Sequence, residues 1–262
     1  MAQSDPLYRQ IAADLREQIR GGQLKAGDRL PTEAEMREQY GVSRNTVRLA
    51  FAQLQNEGMI TSTQGRGTIV REQVITTYHA SWAESRDRMS SDQVDAFHAE
   101  QAAQGHKSAY RDFEMRIVPA SPELAERLSV DEGDSLVSRS FVRQVDGDPS
   151  SLQDSYYPMD IAQECGLLTP HDVAGGAIRA MAAKGHVEIG YIDEVTTRMP
   201  RPDESRKLGL GIGTPVLVYV RTTYSDTRPL RLTLTIFAGD RNRLVYELGD
   251  ISGYHGENGY AS

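Results

Sequence analysis

The sequence contains a single cysteine, Cys165, among 262 residues, which excludes an internal disulfide framework. Chains without disulfides are typical of a reducing compartment, so we expect this protein in the cytoplasm. No apolar run approaches the roughly 20 residues that a membrane-spanning helix needs. The start of the chain also lacks the basic and then apolar layout of a secretion signal. With 39% hydrophobic and 25% charged residues, the composition favours a soluble globular protein.

Motifs for catalysis and for cofactor binding are also scarce. Gly209, Gly211 and Gly213 are spaced like a phosphate-binding loop, but no strand precedes them and no long helix follows. Cys165 has no evident histidine partner and is expected to be a small buried residue. The histidines are scattered without the spacing of metal ligands. We therefore expect no enzyme, no metal site and no cofactor.

The net charge of −8 argues against nucleic-acid binding only if it is spread over the whole chain. Residues 1–71 hold ten basic and eight acidic side chains, a net charge of +2. The remaining residues hold 19 basic and 29 acidic side chains, a net charge of −10. A mildly positive region on an acidic body is compatible with DNA binding that depends on specific contacts.

Residues 30–71 contain the most informative pattern in the chain. Thr32 and Glu35 form a T-x-x-E capping box at the start of a short helix, and Gly41 ends that helix. Ser43 then caps a longer helix, which Gly58 ends. Two short strands follow. The pattern predicts a helix-turn-helix with a hairpin wing.

The longer helix has two chemically different faces. Val47, Ala50, Phe51 and Leu54 recur at the spacing of one buried helical face. The polar residues of its first turns lie off that face, and they are types that hydrogen-bond phosphates and base edges: Arg44, Asn45, Thr46 and Arg48. A recognition helix presents these turns to the major groove. The first predicted helix, which runs to about residue 20, could add a phosphate contact through Tyr8 and Arg9.

This segment resembles the DNA-binding domain of the GntR family of bacterial transcription regulators. The matching residues are Leu30-Pro31, Tyr40 to Arg44, Thr46 to Arg48, Leu54, Glu57-Gly58 and Gly65 to Thr68. The resemblance implies that the helix residues above touch DNA and that Gln64 and Gly65 enter the minor groove, on a wing tip that also carries Arg66. One departure is Ala34, where many members of the family carry an arginine that contacts DNA.

The second half of the chain is predicted to be an α+β domain. Alternating apolar residues between positions 109 and 237 predict antiparallel strands, including a long one at 186–198. Short segments between the strands predict helices, including one at 173–184 that Gly175 and Gly176 interrupt early. We expect a winged helix-turn-helix domain at 1–71, a linker at 72–91, an effector-binding and dimerisation domain at 92–248, and a tail at 249–262.

This half resembles the UTRA effector-binding domain of the HutC subfamily, whose fold is shared with chorismate lyase. The match rests on turn and core residues in order: Ile117 to Ala120, Leu128, Glu132 to Asp134, Arg143, Asp146-Gly147, Tyr156, Pro158, Leu208-Gly209, Gly213 to Pro215, Tyr224 and Gly239 to Arg241. The resemblance implies a homodimer that binds a pseudo-palindromic operator and is modulated by a small molecule, most simply as a repressor.

The resemblance also implies a pocket against the sheet. Its expected residues are Arg139, Arg143, Gln153, Tyr156, Tyr224, Arg231 and Phe237. Arginines at strand positions favour an anionic group, because guanidinium binds carboxylate or phosphate in a bidentate way. Sugar-phosphate-responsive members tend to carry carboxylates where this chain has Gln153 and Arg231, so an amino-sugar phosphate is a poor match. The alternative is a repressor whose second domain only dimerises or binds a protein, without a small effector.

Overall fold

The computed structural model describes the chain in five stretches, residues 5–63, 67–71, 75–81, 96–211 and 213–248. The chain divides into two compact units. The first comprises Met1–Ile75 with Leu210–Pro215, and the second comprises Thr76–Gly209 with Val216–Ser262.

The first unit has three helices followed by a two-stranded hairpin: α1 Leu7–Arg20, α2 Glu33–Tyr40, α3 Arg44–Asn56, β1 Ile60–Thr63 and β2 Gly67–Val70. The capping box at α2 is confirmed, because the Thr32 hydroxyl accepts from the Glu35 amide and the Glu35 carboxylate accepts from the Thr32 amide. Gly41 ends α2 with a φ of 63°, a left-handed conformation that glycine adopts without strain. Ser43 caps α3 through the Thr46 amide, as the sequence predicts.

The core of the first unit is formed by the predicted apolar stripe of α3. Val47, Ala50, Phe51 and Leu54 are all buried, against apolar side chains of α1 that include Ile11 and Leu15. Burying a side chain of this size contributes about 1.5–3 kcal/mol. An isolated β-bridge between Arg29 and Ile69 also connects the segment before α2 to the wing. Together these contacts fix the orientation of α3.

The second unit contains, in chain order, β3 Thr76–His79, α4 Ala96–Ala103, β4 Ser108–Pro119, α5 Pro122–Leu128, β5 Ser135–Val145, β6 Asp148–Pro158, α6 Met159–Glu164, α7 Ala177–Ala182, β7 Gly190–Arg198, α8 Pro202–Leu208, β8 Val216–Tyr224, β9 Pro229–Ala238 and β10 Asn242–Val245. Six strands form one antiparallel sheet in the order β4-β5-β6-β9-β8-β7. Strands β3 and β10 pair in parallel as a separate ribbon. The α+β prediction is confirmed.

Three predicted elements differ from the structure. The helix predicted at 173–184 begins only at Ala177, because Gly175 and Gly176 adopt φ of 77° and 83°. The strand predicted from 186 begins at Gly190. The segment predicted as a linker contains β3, whose partner β10 is about 165 residues away in sequence, and no local pattern announces such a pairing. No helix in the described ranges is both long and apolar enough to cross a membrane.

Candidate DNA interface and effector site

The exposed side of α3 is polar at its capped end. Arg44, Asn45 and Arg48 are exposed, while the buried stripe faces the core. Thr46 is half-buried, and its hydroxyl lies 2.8 Å from the Ser43 hydroxyl. The structure therefore brings all four predicted helix residues to the first turns of α3.

Arg44 is held by a carboxylate from the neighbouring helix. Its Nε donates to Oε2 of Glu33 at 2.6 Å, although the arginine side chain stays 72% exposed. A single such bond leaves the terminal nitrogens of the guanidinium available as donors and fixes their direction. Glu33 therefore holds the side chain of Arg44, a contact that the sequence analysis missed.

The same side of α3 continues beyond the predicted residues. Asn45, Arg48, Leu49 and Ala52 follow the spacing of a single helical face, and all four are exposed. Leu49 is 46% exposed, which is unusual for a leucine in the middle of a helix that has a well-filled core on its other side. Apolar side chains in this position can contact thymine methyl groups. The helical spacing itself was the signal that could have identified Leu49.

The other predicted DNA contacts are split between described and undescribed residues. Arg9 is exposed on α1, and its Nε donates to the hydroxyl of the half-buried Tyr8 at 3.2 Å. Ala34 is exposed on α2. Gln64, Gly65 and Arg66 at the wing tip lie outside the described residues.

The predicted effector residues lie on opposite faces of the sheet. Strand pairing and alternation place five of them on one face: Arg139, Arg143, Gln153, Arg231 and Phe237. Tyr156 packs on the other face with the apolar cluster of α5. Tyr224 also lies on that side, in an open cleft of about 370 Å³ that includes Glu126 and Arg127. The structure does not bring these two tyrosines together with the other five residues.

Arg139 is used to hold a loop. Its Nη1 donates to the carbonyls of Leu167 and Thr169 at 2.7 and 2.8 Å, and its Nη2 donates to the carbonyl of His171 at 2.7 Å. Its guanidinium also lies 4.8 Å from the ring centre of Phe113. Burial lowers the pKa of Arg139. These contacts show that Arg139 holds the loop at residues 167–171 against the sheet.

Arg231 is neutralised by a buried carboxylate. Its Nε and Nη2 donate to the two oxygens of Glu188 at 2.6 and 3.2 Å, and both side chains are buried. Its Nη1 donates to the Thr233 hydroxyl at 3.0 Å. The sequence analysis missed Glu188, because it precedes the strand and its distance from Arg231 along the chain gives no local signal.

Arg143 lies among aromatic rings on the same face. Its guanidinium carbon is 4.7 Å from the ring centre of Phe97 and 5.5 Å from that of Tyr78. Phe237 packs on Tyr78 with 5.3 Å between ring centres. Gln153 donates to the hydroxyl of Ser155 at 3.1 Å. The guanidinium of Arg143 is thus surrounded by aromatic rings, and the polar side chain of Gln153 lies on the same face of the sheet.

Ser151 is a further polar residue of this face. It is the cross-strand neighbour of Arg143 on one side and of Phe237 on the other. Its hydroxyl is buried and has no hydrogen-bond partner among the described residues. A buried hydroxyl without a partner costs roughly 1–3 kcal/mol. The alternation of Ser151, Gln153 and Ser155 along β6 was the sequence signal for this polar stripe.

Strand β3, which carries Tyr78, lies beside Arg143 and is held by several side chains. Glu100 accepts from the backbone amide of His79 at 2.6 Å and lies 2.7 Å from its Nδ1. Arg221 donates to the carbonyl of Ala80 at 2.8 Å and forms a bidentate ion pair with Asp193, 2.7 Å at each contact. The ribbon that begins the second unit is therefore tied to α4 and to the sheet.

Within the described part of the chain, no cluster of His, Cys, Asp or Glu has the arrangement of a metal site. Cys165 is buried in an apolar cluster with Ile161 and Leu167, and burial raises the pKa of its thiol. A buried thiol with a raised pKa is a poor nucleophile.

Family models match both units. Residues 7–70 match the model described as bacterial regulatory proteins of the gntR family, and residues 103–243 match the UTRA domain model. An uncharacterized HTH-type transcriptional regulator of Rhizobium meliloti is 32% identical over 92% of this chain and 94% of its own length. The mannosyl-D-glycerate transport/metabolism system repressor MngR of Escherichia coli is 31% identical over 84% of this chain and 85% of its own.

A solved structure shows the same fold. The crystal structure of PhnF from Mycobacterium smegmatis aligns with a TM-score of 0.58 at 23% identity, over 92% of this chain and 99% of that one. The family consists of transcription regulators rather than enzymes. The chain therefore belongs to the GntR family of bacterial transcription regulators, as a HutC-like member that joins a winged helix-turn-helix DNA-binding domain to a UTRA effector-binding domain.

Proposed function

We propose that this regulator is a cytoplasmic homodimeric repressor that binds a pseudo-palindromic operator and releases it in response to a small molecule. The MngR relative is named a repressor, which supports the sign of regulation. Two-fold symmetry in the dimer would set the spacing of two operator half-sites.

The exposed polar face of α3 carries the DNA-binding part of the proposal. Arg44, Asn45, Thr46 and Arg48 are the base and phosphate contacts, and Leu49 extends the same face. Tyr8 and Arg9 add phosphate contacts from α1, and Gln64, Gly65 and Arg66 act from the wing. Because the first 71 residues have a net charge of only +2, specific contacts contribute a large part of the affinity.

A charge-matched pair of variants tests the placement of this interface. Arg48→Ala should weaken binding of full-length protein to DNA from upstream of its own gene by about 1–3 kcal/mol. Arg20→Ala removes the same charge from the last turn of α1, where Arg20 is exposed and is not one of the proposed contacts, and should change the affinity little. Equal losses in fluorescence anisotropy would show that only net charge matters and would remove α3 from its role.

Arg143 and Ser151 carry the effector part of the proposal. They are cross-strand neighbours on one sheet face, with the aromatic rings of Phe97 and Tyr78 beside them. An anionic group on the ligand would bond the guanidinium, and an oxygen of the ligand would give the buried Ser151 hydroxyl a partner. Arg139 and Arg231 shape the site through the loop and Glu188. The effector is thus a small molecule with one anionic group and a ring or apolar part.

Strand β3 is the element through which this site would reach the DNA-binding unit. The ring centre of Tyr78 in β3 lies 5.5 Å from the guanidinium carbon of Arg143. Residues 71–75 connect β3 to the wing strand β2 in the chain. A ligand that shifts Tyr78 would therefore act on the segment that connects to the DNA-binding unit. A preference of about 1–3 kcal/mol between two arrangements is sufficient for regulation.

A thermal-shift screen of small carboxylates and phosphate esters tests the effector site. A compound that binds the folded state raises the melting temperature by mass action. Arg143→Lys keeps the charge but loses the bidentate fork. It should weaken the apparent affinity for the compound at least about tenfold, and the melting-temperature shift should shrink accordingly. DNA binding in the absence of the compound should stay intact. A compound whose shift is unchanged in Arg143→Lys binds elsewhere.

The internal use of Arg139 and Arg231 favours a second candidate function, a repressor whose UTRA domain only dimerises or binds a protein. Arg139 and Arg231, which were expected to attract an anion, donate to partners within the fold. A screen in which no compound shifts the melting temperature or releases DNA would support this second candidate.

A further inference from the structure

Leu49 is an apolar side chain on the polar face of α3. It is 46% exposed, whereas the other large apolar side chains of this helix, Val47, Phe51 and Leu54, are buried. Among the described residues, the core of the first unit neither contains Leu49 nor packs against it. The fold therefore gains little from a leucine at this position.

The surface around Leu49 carries positive charge. Residues three or four positions apart are neighbours on a helix, so Leu49 adjoins Asn45 on one side and Ala52 on the other. Arg48 precedes it in the chain, and all three of these neighbours are exposed. The whole of α3 contains two arginines and no acidic residue. A helix surface of this charge suits a polyanion.

This charge favours DNA over a protein as the molecule that covers Leu49. A protein in contact with Leu49 would also remove water from the exposed guanidinium of Arg48 and would have to pair it. DNA matches both side chains at once, because its phosphates bind arginine and its major groove contains an apolar group. The leucine and the arginine beside it therefore fit a single partner.

The apolar group that the base edges present in the major groove is the 5-methyl group of thymine. The edges of guanine, cytosine and adenine consist of donors and acceptors, to which leucine cannot hydrogen-bond. A leucine against such an edge would remove water from polar groups without replacing their hydrogen bonds, which is unfavourable. A leucine in the groove thus selects thymine and disfavours the other three bases.

We propose that Leu49 is a specificity-determining residue that contacts the 5-methyl group of a thymine in the operator half-site. The inference rests on the DNA-binding part of the proposed function and adds one base and one apolar contact to it. Asn45 and Arg48 bond polar groups of the DNA in this arrangement. Leu49 selects a thymine one helical turn beyond Asn45.

Operator DNA in which uracil replaces thymine tests this contact. Uracil has the hydrogen-bonding groups of thymine and lacks only the methyl group, so the exchange isolates the apolar contact. The fragment from upstream of the gene is prepared in both forms, and full-length protein is titrated onto each at one salt concentration. Wild type should bind the uracil form at least about fourfold more weakly, the effect of losing one buried methyl-sized group.

The variant Leu49→Ala shows whether this loss belongs to Leu49. Alanine removes most of the apolar side chain and has the highest helix propensity, so α3 is retained. The exchange of thymine for uracil should then cost about fourfold less than it costs wild type, because the partner of the methyl group is gone. Leu168→Ala is the matched control, an equal truncation of a 38% exposed leucine in the second unit. It should show the wild-type loss.

Single uracil substitutions identify the thymine. A leucine contacts atoms within about 4–4.5 Å, and successive base pairs are about 3.4 Å apart. The sensitivity that depends on Leu49 should therefore be confined to one thymine, or two adjacent ones, in a half-site. Sensitivity spread evenly over all thymines would indicate a change in DNA shape and would overturn the contact.

The remaining outcomes separate this inference from the proposed function. Equal losses in wild type and Leu49→Ala would assign the methyl groups to other residues and overturn the role of Leu49. Equal binding of wild type to both fragments would overturn it too, and in both cases the regulator would still bind DNA specifically. A wild type that prefers neither fragment to random DNA instead contradicts the proposed function, and the inference fails with it.

Discussion

In the first unit, Arg44 and Arg48 of α3 extend into solvent, whereas in the second unit Arg139, Arg221 and Arg231 are almost fully buried. The exposed arginines keep most of their donors for another molecule. The buried ones spend theirs on carbonyls of the chain or on carboxylates such as Glu188 and Asp193. The same side chain therefore stays available for the proposed DNA contacts in one unit and stabilises the fold in the other.

The physical reason for this difference is the cost of removing a charge from water. A buried guanidinium is tolerated only when it is paired or hydrogen-bonded. An exposed one remains solvated and can exchange water for phosphate. The number of arginines on a predicted strand is therefore a weak indication of an anion site. The arginines in the first turns of α3, by contrast, are exposed as the sequence predicts.

The largest expected effect comes from Glu188→Gln, which removes the negative charge beside the buried Arg231. We expect a loss of about 3–5 kcal/mol in the free energy of unfolding, because a buried charge loses its counter-charge. Urea denaturation of the full-length protein measures it. The double variant Glu188→Gln with Arg231→Met should recover part of the loss. A single variant as stable as wild type would mean that Arg231 is not held by this pair.

The next effect separates positioning from charge in the first unit. Glu33→Gln removes a negative charge near DNA, which by itself would strengthen binding, yet it also releases Arg44. We expect the affinity for specific DNA to fall about tenfold, or 1.4 kcal/mol. Glu38→Gln makes the same charge change on the exposed surface of α2 and should not weaken binding. Stronger binding by both variants would contradict a positioning role for Glu33.

A smaller effect distinguishes two serines on the same stripe of β6. The Ser155 hydroxyl lies 3.1 Å from the Thr233 hydroxyl, whereas the buried Ser151 hydroxyl has no partner in the described residues. Ser155→Ala should therefore cost about 1 kcal/mol of stability, and Ser151→Ala should cost less or raise stability. Thermal denaturation compares them. A clear loss in Ser151→Ala would show that its hydroxyl is already satisfied without a ligand.

The smallest effect is a pH dependence in the first unit. The hydrogen bonds from Arg16, at 2.6 and 2.8 Å, lower the pKa of the Glu57 carboxyl. A lowered folded pKa means that the stabilisation is present above the unfolded pKa and is lost as pH falls through the folded one. Glu57→Gln should therefore be less stable than wild type at neutral pH by about 0.2–1 kcal/mol. A stability difference that persists unchanged below the folded pKa of Glu57 would contradict this account.

Local signals predicted the first unit well because its determinants are local. The capping box at Thr32, the stop at Gly41, the cap at Ser43 and the four-residue apolar stripe of α3 are all encoded within one or two helical turns. The same reasoning located the exposed face of α3. It stopped short of Leu49, because an apolar residue in a helix is ordinarily assigned to the core.

The sequence predicted the strands of the second unit. It did not predict which strands pair or which face of the sheet each side chain occupies. With the antiparallel register known, the alternation of side chains places Tyr156 on the opposite face of the sheet from Arg139 and Arg143. The pairing of β3 with β10 and of Glu188 with Arg231 depends on residues far apart in the chain. Such contacts are set by the tertiary fold, and no periodic pattern in the sequence reports them.

The central claim is that the exposed side chains of α3 read a specific DNA sequence. The most direct measurement is the affinity of the full-length protein for DNA from upstream of its own gene, compared with random DNA of equal length at one fixed salt concentration. We predict binding at least about 10³-fold tighter to the upstream DNA. Equal affinity for the two, with the same salt dependence, would contradict the claim, because it would leave only non-specific attraction to phosphate.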